Sequence, residues 1–129
     1  MPENYIGIMC GTSLDSLDLS LCDFEKNKKI KYFKSYRIRQ SLRVKINECK
    51  NHPNGKKLFS EADELTTEFI IKSLRKFIAT SKTKKIVAIG YPGITIIHNP
   101  KKQISKTLGN PAIIAKESGL RVVADFRLT

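Results

Sequence analysis

Near the start of the chain, between two apolar runs, stands Gly11-Thr12-Ser13-Leu14-Asp15-Ser16-Leu17-Asp18. A turn of this composition can aim several backbone N–H groups at one point, the arrangement that captures an oxyanion such as phosphate. Gly11 lets the main chain approach a ligand without a Cβ in the way. The Thr12 and Ser13 hydroxyls add donors, and Asp15 and Asp18 could hold Mg²⁺ through water. These are the parts of a site for the terminal phosphates of a nucleotide. The stretch lacks the GxxxxGK[ST] pattern, so it is not a P-loop of the Walker kind. An ordinary polar hairpin turn uses the same residue types, and the motif alone leaves both readings open.

The elements around it follow from periodicity. Tyr5 to Met9 reads as a short buried strand, and Leu17, Leu19 and Leu21 alternate with polar residues as a second. Lys29 to Arg39 is a third, with Lys29, Lys31, Arg37 and Arg39 on one parity and Ile30, Tyr32, Tyr36 and Ile38 on the other. The period then changes. Leu42, Ile46 and Cys49 suit a short amphipathic helix, which Pro53 and Gly55 break. The spacing predicts a longer helix over residues 60–80, with Ser60 and Asp63 as a capping box and Ala62, Leu65, Phe69, Leu74 and Phe77 as its buried stripe. Ile86 to Ile89 run as a strand buried on both faces. A small hairpin around Asn99-Pro100 follows. Asn110 caps a helix that Pro111 opens and Gly119 ends, and "LRVVADF" is a final buried strand. Three meander strands, helices, strand, helix and strand make an α/β domain with a mixed sheet over residues 1–129; by analogy it resembles the ribonuclease-H-like sheet found in each half of the actin–hexokinase ATPases.

Composition narrows the class. The 129 residues suit one domain. No 18-residue apolar stretch occurs, so no membrane span is expected, and "MPENYIGIM" has no basic segment followed by a long apolar one, which makes a cytoplasmic location the expectation. Cys10, Cys22 and Cys49 are odd in number and form no CxxC pair, and only His52 and His98 stand beside them. They read as reduced thiols rather than zinc ligands. The net charge is +12, and the run Lys26 to Lys45 holds nine Lys/Arg and no acid. Such a surface attracts anions; a solvated strand face produces the same pattern. The run matches no basic–aromatic nucleic-acid-binding motif, which counts against nucleic acid.

Three ordered stretches carry a resemblance. "YIGIMCGTSLDSLDLSLCDF" resembles the N-terminal motif of the anhydro-N-acetylmuramic acid kinases, roughly GxMSGTSLDGxD. "KIVAIGYPGITIIHNP" resembles that family's VxAIGxHGQTxxHxP segment, and "TLGNPAIIAKESGLRVVADFR" its LQIGDxxxIAxxTGIxVVxDFR segment. The resemblance runs from Tyr5 to Arg127. It implies half of a two-domain, actin–hexokinase-type enzyme that uses ATP and Mg²⁺ to open the 1,6-anhydro ring of anhydro-N-acetylmuramic acid and phosphorylate O6, in cell-wall recycling. It assigns Gly11, Thr12, Ser13, Leu14, Asp15, Ser16, Leu17 and Asp18 to the ATP phosphate loop. Gly93, Thr95, Asp125 and Arg127 fall to the sugar side, and His98 also matches.

The departures from the family pattern are specific. Cys10 replaces a Ser, Ser16 a Gly, Pro92 a His, Ile94 a Gln and Asn110 an Asp. Ser16 would obstruct the turn if its backbone needed a positive φ, and Pro92 and Ile94 remove two polar side chains from a sugar site. The family is also far longer. Its second half supplies the general base for the attacking water and the adenine contacts, so no catalytic residue is expected in this chain. A separate C-terminal chain or a second copy would supply the other wall of the cleft, since a lone domain would leave an apolar face bare. Two other readings stand beside the kinase half: a non-catalytic relic that still binds phosphate, and a basic module for an anionic partner.

Overall fold

A computed structural model describes residues 3–11, 13–23, 29–52, 54–83, 85–99 and 104–124. Alternation builds the first strands. In β1 (Asn4–Cys10), Ile6 and Ile8 are buried while Met9 is half exposed. β1 pairs antiparallel with β2 (Ser16–Asp23), so that Ile6 lies opposite Leu21 and Ile8 opposite Leu19. Burying each of these side chains stabilises the sheet by about 1.5–3 kcal/mol. β3 (Lys29–Arg37) continues the meander antiparallel to β2, with Tyr36 opposite Leu17 and Tyr32 opposite Leu21. A register shift beyond Leu21 places Cys22 opposite Ile30, which is exposed rather than on the buried parity.

Two helices then cross back. α1 (Gln40–Asn51) buries Leu42, Ile46 and Cys49, the three residues its period marks. α2 spans Lys56–Ser81, four residues longer at its start than the periodicity implies, and its N-cap is Gly55. Ser60 and Asp63 therefore form no capping box. Ala62, Leu74 and Phe77 are buried as expected, with Ile70 and Ile71, whereas Leu65 and Phe69 pack only partly buried against the core.

β4 (Ile86–Gly90) pairs parallel to β1, and after α3 (Pro111–Ser118) the short β7 (Arg121–Val123) pairs parallel to β4. The sheet order is β3-β2-β1-β4-β7. Between β4 and α3, β5 (Ile94–Asn99) and β6 (Ile104–Leu108) form a separate antiparallel hairpin; its turn lies outside the described residues.

One core joins Ile6, Ile8, Leu17, Leu19 and Ile89 to Ile70, Leu74 and Phe77 of α2 and Ile114 of α3. The described helices thus cover one face of the sheet. On the other face Met9, Phe33 and Val123 are 50%, 55% and 48% exposed. That corrects two expectations. β4 is not covered on both sides, and Val87, at a register irregularity in its pairing with β1, is 46% exposed. The final strand is a three-residue edge with only Val122 packed on the core. A second core, formed by Leu14, Ile38, Leu42, Ile46, Ala62, Ile94 and Leu108, seats α1 and the hairpin against α2.

Candidate functional site

The parallel strands β1, β4 and β7 end at the same edge of the sheet. Gly7 lies beside Gly90, and Gly90 beside Val123. The Gly11 turn leaves the end of β1, Tyr91-Pro92-Gly93 leaves the end of β4, and Ala124 follows β7. Ligands of open α/β sheets bind outside the carboxyl ends of parallel strands, where loops diverge. The topology therefore brings the carboxyl ends of these three strands together, although they are far apart in sequence. Asp125 and Arg127, and Thr12 in the first loop, lie outside the described residues.

The first loop is held by α1. Leu14 adopts φ 58, an uncommon conformation for a branched side chain, and its amide donates to the Gly11 carbonyl at 3.1 Å. Its side chain is 2% exposed and belongs to the second core with Ile38, Leu42 and Ile46. The Asp15 carbonyl accepts from the Ile38 amide at 2.9 Å, and its carboxylate accepts from Arg43 at 3.1 Å. Leu14 and Leu17 are thus anchors, and Gly11, Ser13 and Asp15 form the exposed rim. A Cβ built on Gly11 meets nothing nearer than Ser13 Oγ at 3.9 Å, so the fold itself does not require glycine there.

Ser16 is not obstructive. It is the first residue of β2, opposite Arg37, in extended backbone, and its hydroxyl donates to Asp18 at 2.9 Å. Ser35 Oγ donates to the same oxygen of Asp18 at 2.6 Å. Asp18 lies on the open face of the sheet beside Met9, while Asp15 is paired with α1. Among the described residues no three His, Cys, Asp or Glu side chains cluster as a metal cage. Each carboxylate has its own partners, so an Mg²⁺ shared by both would keep most of its waters.

Cys10, at the end of β1, donates to the Gly11 carbonyl at 3.6 Å. Burial first, then the Asp18 charge, push its thiol up; Lys50 opposes them, and Asp15 adds the smallest upward effect. It is a neutral thiol at the foot of the loop.

In the second segment Pro92 is buried, and Ile94, 6% exposed, sits in the second core. The two departures from the family's polar residues therefore face the protein interior. Gly93 has φ 87, and a Cβ there would come within 2.7 Å of the Thr107 side chain; the hairpin demands glycine whatever it binds. Thr95 lies opposite Thr107, half-buried.

Sequence reasoning missed the residues that fix this segment. Tyr91 Oη donates to the Leu108 carbonyl at 2.6 Å, Gly109 N–H donates to Asp63 at 2.8 Å, and Asn110 N–H donates to Thr67 Oγ1 at 2.9 Å. Together they clamp the exit of the hairpin onto α2. Nothing local marks them, since each partner is distant in the chain.

The basic run is partly spent within the fold. Arg43 pairs with Asp15, Lys45 with Glu61 at 3.0 Å, and Lys31 donates to Asn4 at 3.3 Å. Lys31, Lys34 and Arg37 stand exposed on the edge strand β3, where charge discourages edge-to-edge pairing. A groove of about 630 Å³ between α2 and α3 is lined by Asp63, Thr67, Lys72, Arg75, Ile113 and Glu117, and by none of the loop residues. No helix among the described residues is long and apolar enough to cross a membrane.

A mixed sheet in this order, with its crossover helices on one face and its motif loops at the ends of the parallel strands, defines a ribonuclease-H-like half of an actin- and hexokinase-like fold. The family model for anhydro-N-acetylmuramic acid kinase matches residues 3–129, and the chain belongs to that family. It is similar to the anhydro-N-acetylmuramic acid kinase of Sulfurimonas denitrificans, 38% identical over 98% of this chain and 36% of the relative. It is also similar to that of Gamma-proteobacterium EBAC31A08, 37% identical over 95% of this chain and 35% of the relative. A third, from a Sulfurovum species, is 35% identical over 97% of this chain and 36% of the relative. The chain thus spans about a third of the length of the curated relatives it matches.

Proposed function

We propose that this chain forms one domain, the phosphate-binding half of an ATP-dependent kinase acting on 1,6-anhydro-N-acetylmuramic acid in cell-wall recycling in the cytoplasm. The observation that carries this reading is the Gly11 turn at the carboxyl end of β1, held by α1 and carrying a glycine that the fold does not need. In this reading Gly11, Thr12 and Ser13 receive the β- and γ-phosphates, with Leu14 and Leu17 setting the shape of the loop. Mg²⁺, when bound, neutralises phosphate charge, and Asp15 and Asp18 hold it through water. Gly93 and Thr95 are assigned to the sugar side, as are Asp125 and Arg127 on the motif resemblance alone.

The general base and the adenine contacts belong to the portion of the relatives that this chain does not span. They are supplied by a separate chain or by further polypeptide, since a second copy of this chain would lack them as well. A base must reach its water at hydrogen-bond distance, and an open wall cannot exclude bulk water from the reaction.

The test is ATP-dependent phosphorylation of the anhydro sugar by the 129-residue chain, alone and mixed with the remaining two thirds of the Sulfurimonas relative. Turnover only in the mixture is expected. Absence of ATP binding by the chain, with no turnover in the mixture, would reject the reading. Robust turnover by the chain alone would reject the division of labour. The buried Ile94 favours a second reading, phosphate binding without sugar turnover. ATP binding with an inert mixture is its signature.

A further inference from the structure

The rim of the loop carries an acid where an anion is to be received. Asp15 has a side chain 70% exposed, two residues from Ser13. Unpaired, it would set a negative charge beside the phosphates and oppose them. The structure supplies a counter-cation from another element. Arg43, one turn into α1, donates from Nη1 to Asp15 Oδ1 at 3.1 Å, and its own side chain is only 36% exposed.

The pair is geometrically determined. The Asp15 carbonyl is held by the Ile38 amide, and Leu14 shares a buried cluster with Leu42, the residue before Arg43. The backbone of the loop and the helix that bears the guanidinium are therefore locked together. Arg39, which could compete for the carboxylate, donates instead to Ser41 Oγ at 3.2 Å.

We propose that Arg43 is the positioning residue of the phosphate loop: by pairing with Asp15 it removes the repulsion that this carboxylate would exert on a polyphosphate bound without metal. The proposal rests on the phosphate-binding reading of the Gly11 turn. Arg43 acts through Asp15 and need not touch the ligand. Its planar guanidinium holds a carboxylate with a directionality that a lysine ammonium does not reproduce.

The test is titration of the 129-residue chain with inorganic tripolyphosphate in the absence of divalent metal, followed by calorimetry. Arg43→Gln should weaken binding by about three- to tenfold, as expected for one uncompensated charge near the surface. Arg43→Gln combined with Asp15→Asn should restore nearly wild-type affinity, because the uncompensated carboxylate is then gone. Arg43→Lys should fall between wild type and Arg43→Gln. A partly exposed arginine replaced by glutamine should leave the thermal midpoint almost unchanged, which separates the effect from unfolding.

If the wild-type chain binds no tripolyphosphate, the phosphate-binding reading fails and the proposal fails with it. If the wild type binds and Arg43→Gln binds equally well, the proposal alone is overturned. If Arg43→Gln weakens binding by the same factor in the Asp15→Asn background, Arg43 contacts the anion directly and the positioning role is overturned.

Discussion

The Tyr91 hydroxyl donates to the Leu108 carbonyl at 2.6 Å, tying the exit of β4 to the last residue of β6. Tyr91 is 2% exposed and Leu108 fully buried. The Tyr91 amide also donates to the Val123 carbonyl at 3.0 Å, so one residue joins the main sheet, the hairpin and the last strand. Burial holds its phenol far above the ordinary tyrosine range. Tyr91→Phe should cost about 1–3 kcal/mol, because a buried carbonyl loses its partner while the ring still packs. Urea unfolding measures this; an unchanged midpoint would count against the clamp.

The cap of α3 offers a signed pair of substitutions. Asn110 Oδ1 accepts from the amides of Ala112 at 3.0 Å and Ile113 at 3.3 Å. Asn110→Ala should lower stability by about 1 kcal/mol. Asn110→Asp, the family's usual residue, keeps the acceptor and adds a negative charge at a helix N-terminus. It should gain about 0.3–1 kcal/mol at low salt, and lose that gain as salt rises.

Ile94→Gln restores the family residue but places an amide in an apolar core. We expect a loss of about 2–4 kcal/mol from the buried amide and the lost contacts, with no gain of anhydro-sugar binding. Thermal denaturation and a sugar titration together check it. A stable variant that binds the sugar would show that position 94 faces the cleft.

Gly11→Ala separates folding from ligand approach. Open space around the position predicts stability unchanged or raised by up to about 1 kcal/mol. Tripolyphosphate affinity should fall by about tenfold or more, equivalent to 1.4 kcal/mol, because the methyl group stands where the anion approaches. Unaltered affinity would remove Gly11 from the site.

The Lys45–Glu61 pair sets a pH dependence. Their hydrogen bond is the largest influence on both, lowering Glu61 and raising Lys45. A depressed carboxyl contributes stability that is present above its unfolded value and lost as pH falls through its folded value. A raised amine contributes below its unfolded value and loses that contribution as pH rises through the folded one. The pair is partly exposed, so the effect is modest. Stability should be flat through neutral pH and decline at both ends, and Glu61→Gln should shallow the acid-side decline in a pH series of urea midpoints.

Local signals were largely readable. Asn110, Pro111 and Gly119 marked α3 by cap chemistry, and Leu42, Ile46 and Cys49 marked the buried side of α1, because both depend on residues within a few positions of one another. The start of α2 was misplaced for a related reason. Ser60 and Asp63 have capping-box spacing, but helix propensity carries the chain back to Lys56, and Asp63 serves the distant Gly109 instead. Val87 and Val123 looked like core residues, since apolarity in a strand does not say which face is covered.

The chain by itself determined the order of elements and the composition of the Gly11 turn, because hydrophobic period, caps and turn residues act over a few positions. Only the tertiary structure decided that the carboxyl ends of β1, β4 and β7 lie together, that Ile94 points inward and that Asp15 faces Arg43. Those outcomes depend on strand register and helix docking, where a shift of one residue reverses which side chains meet.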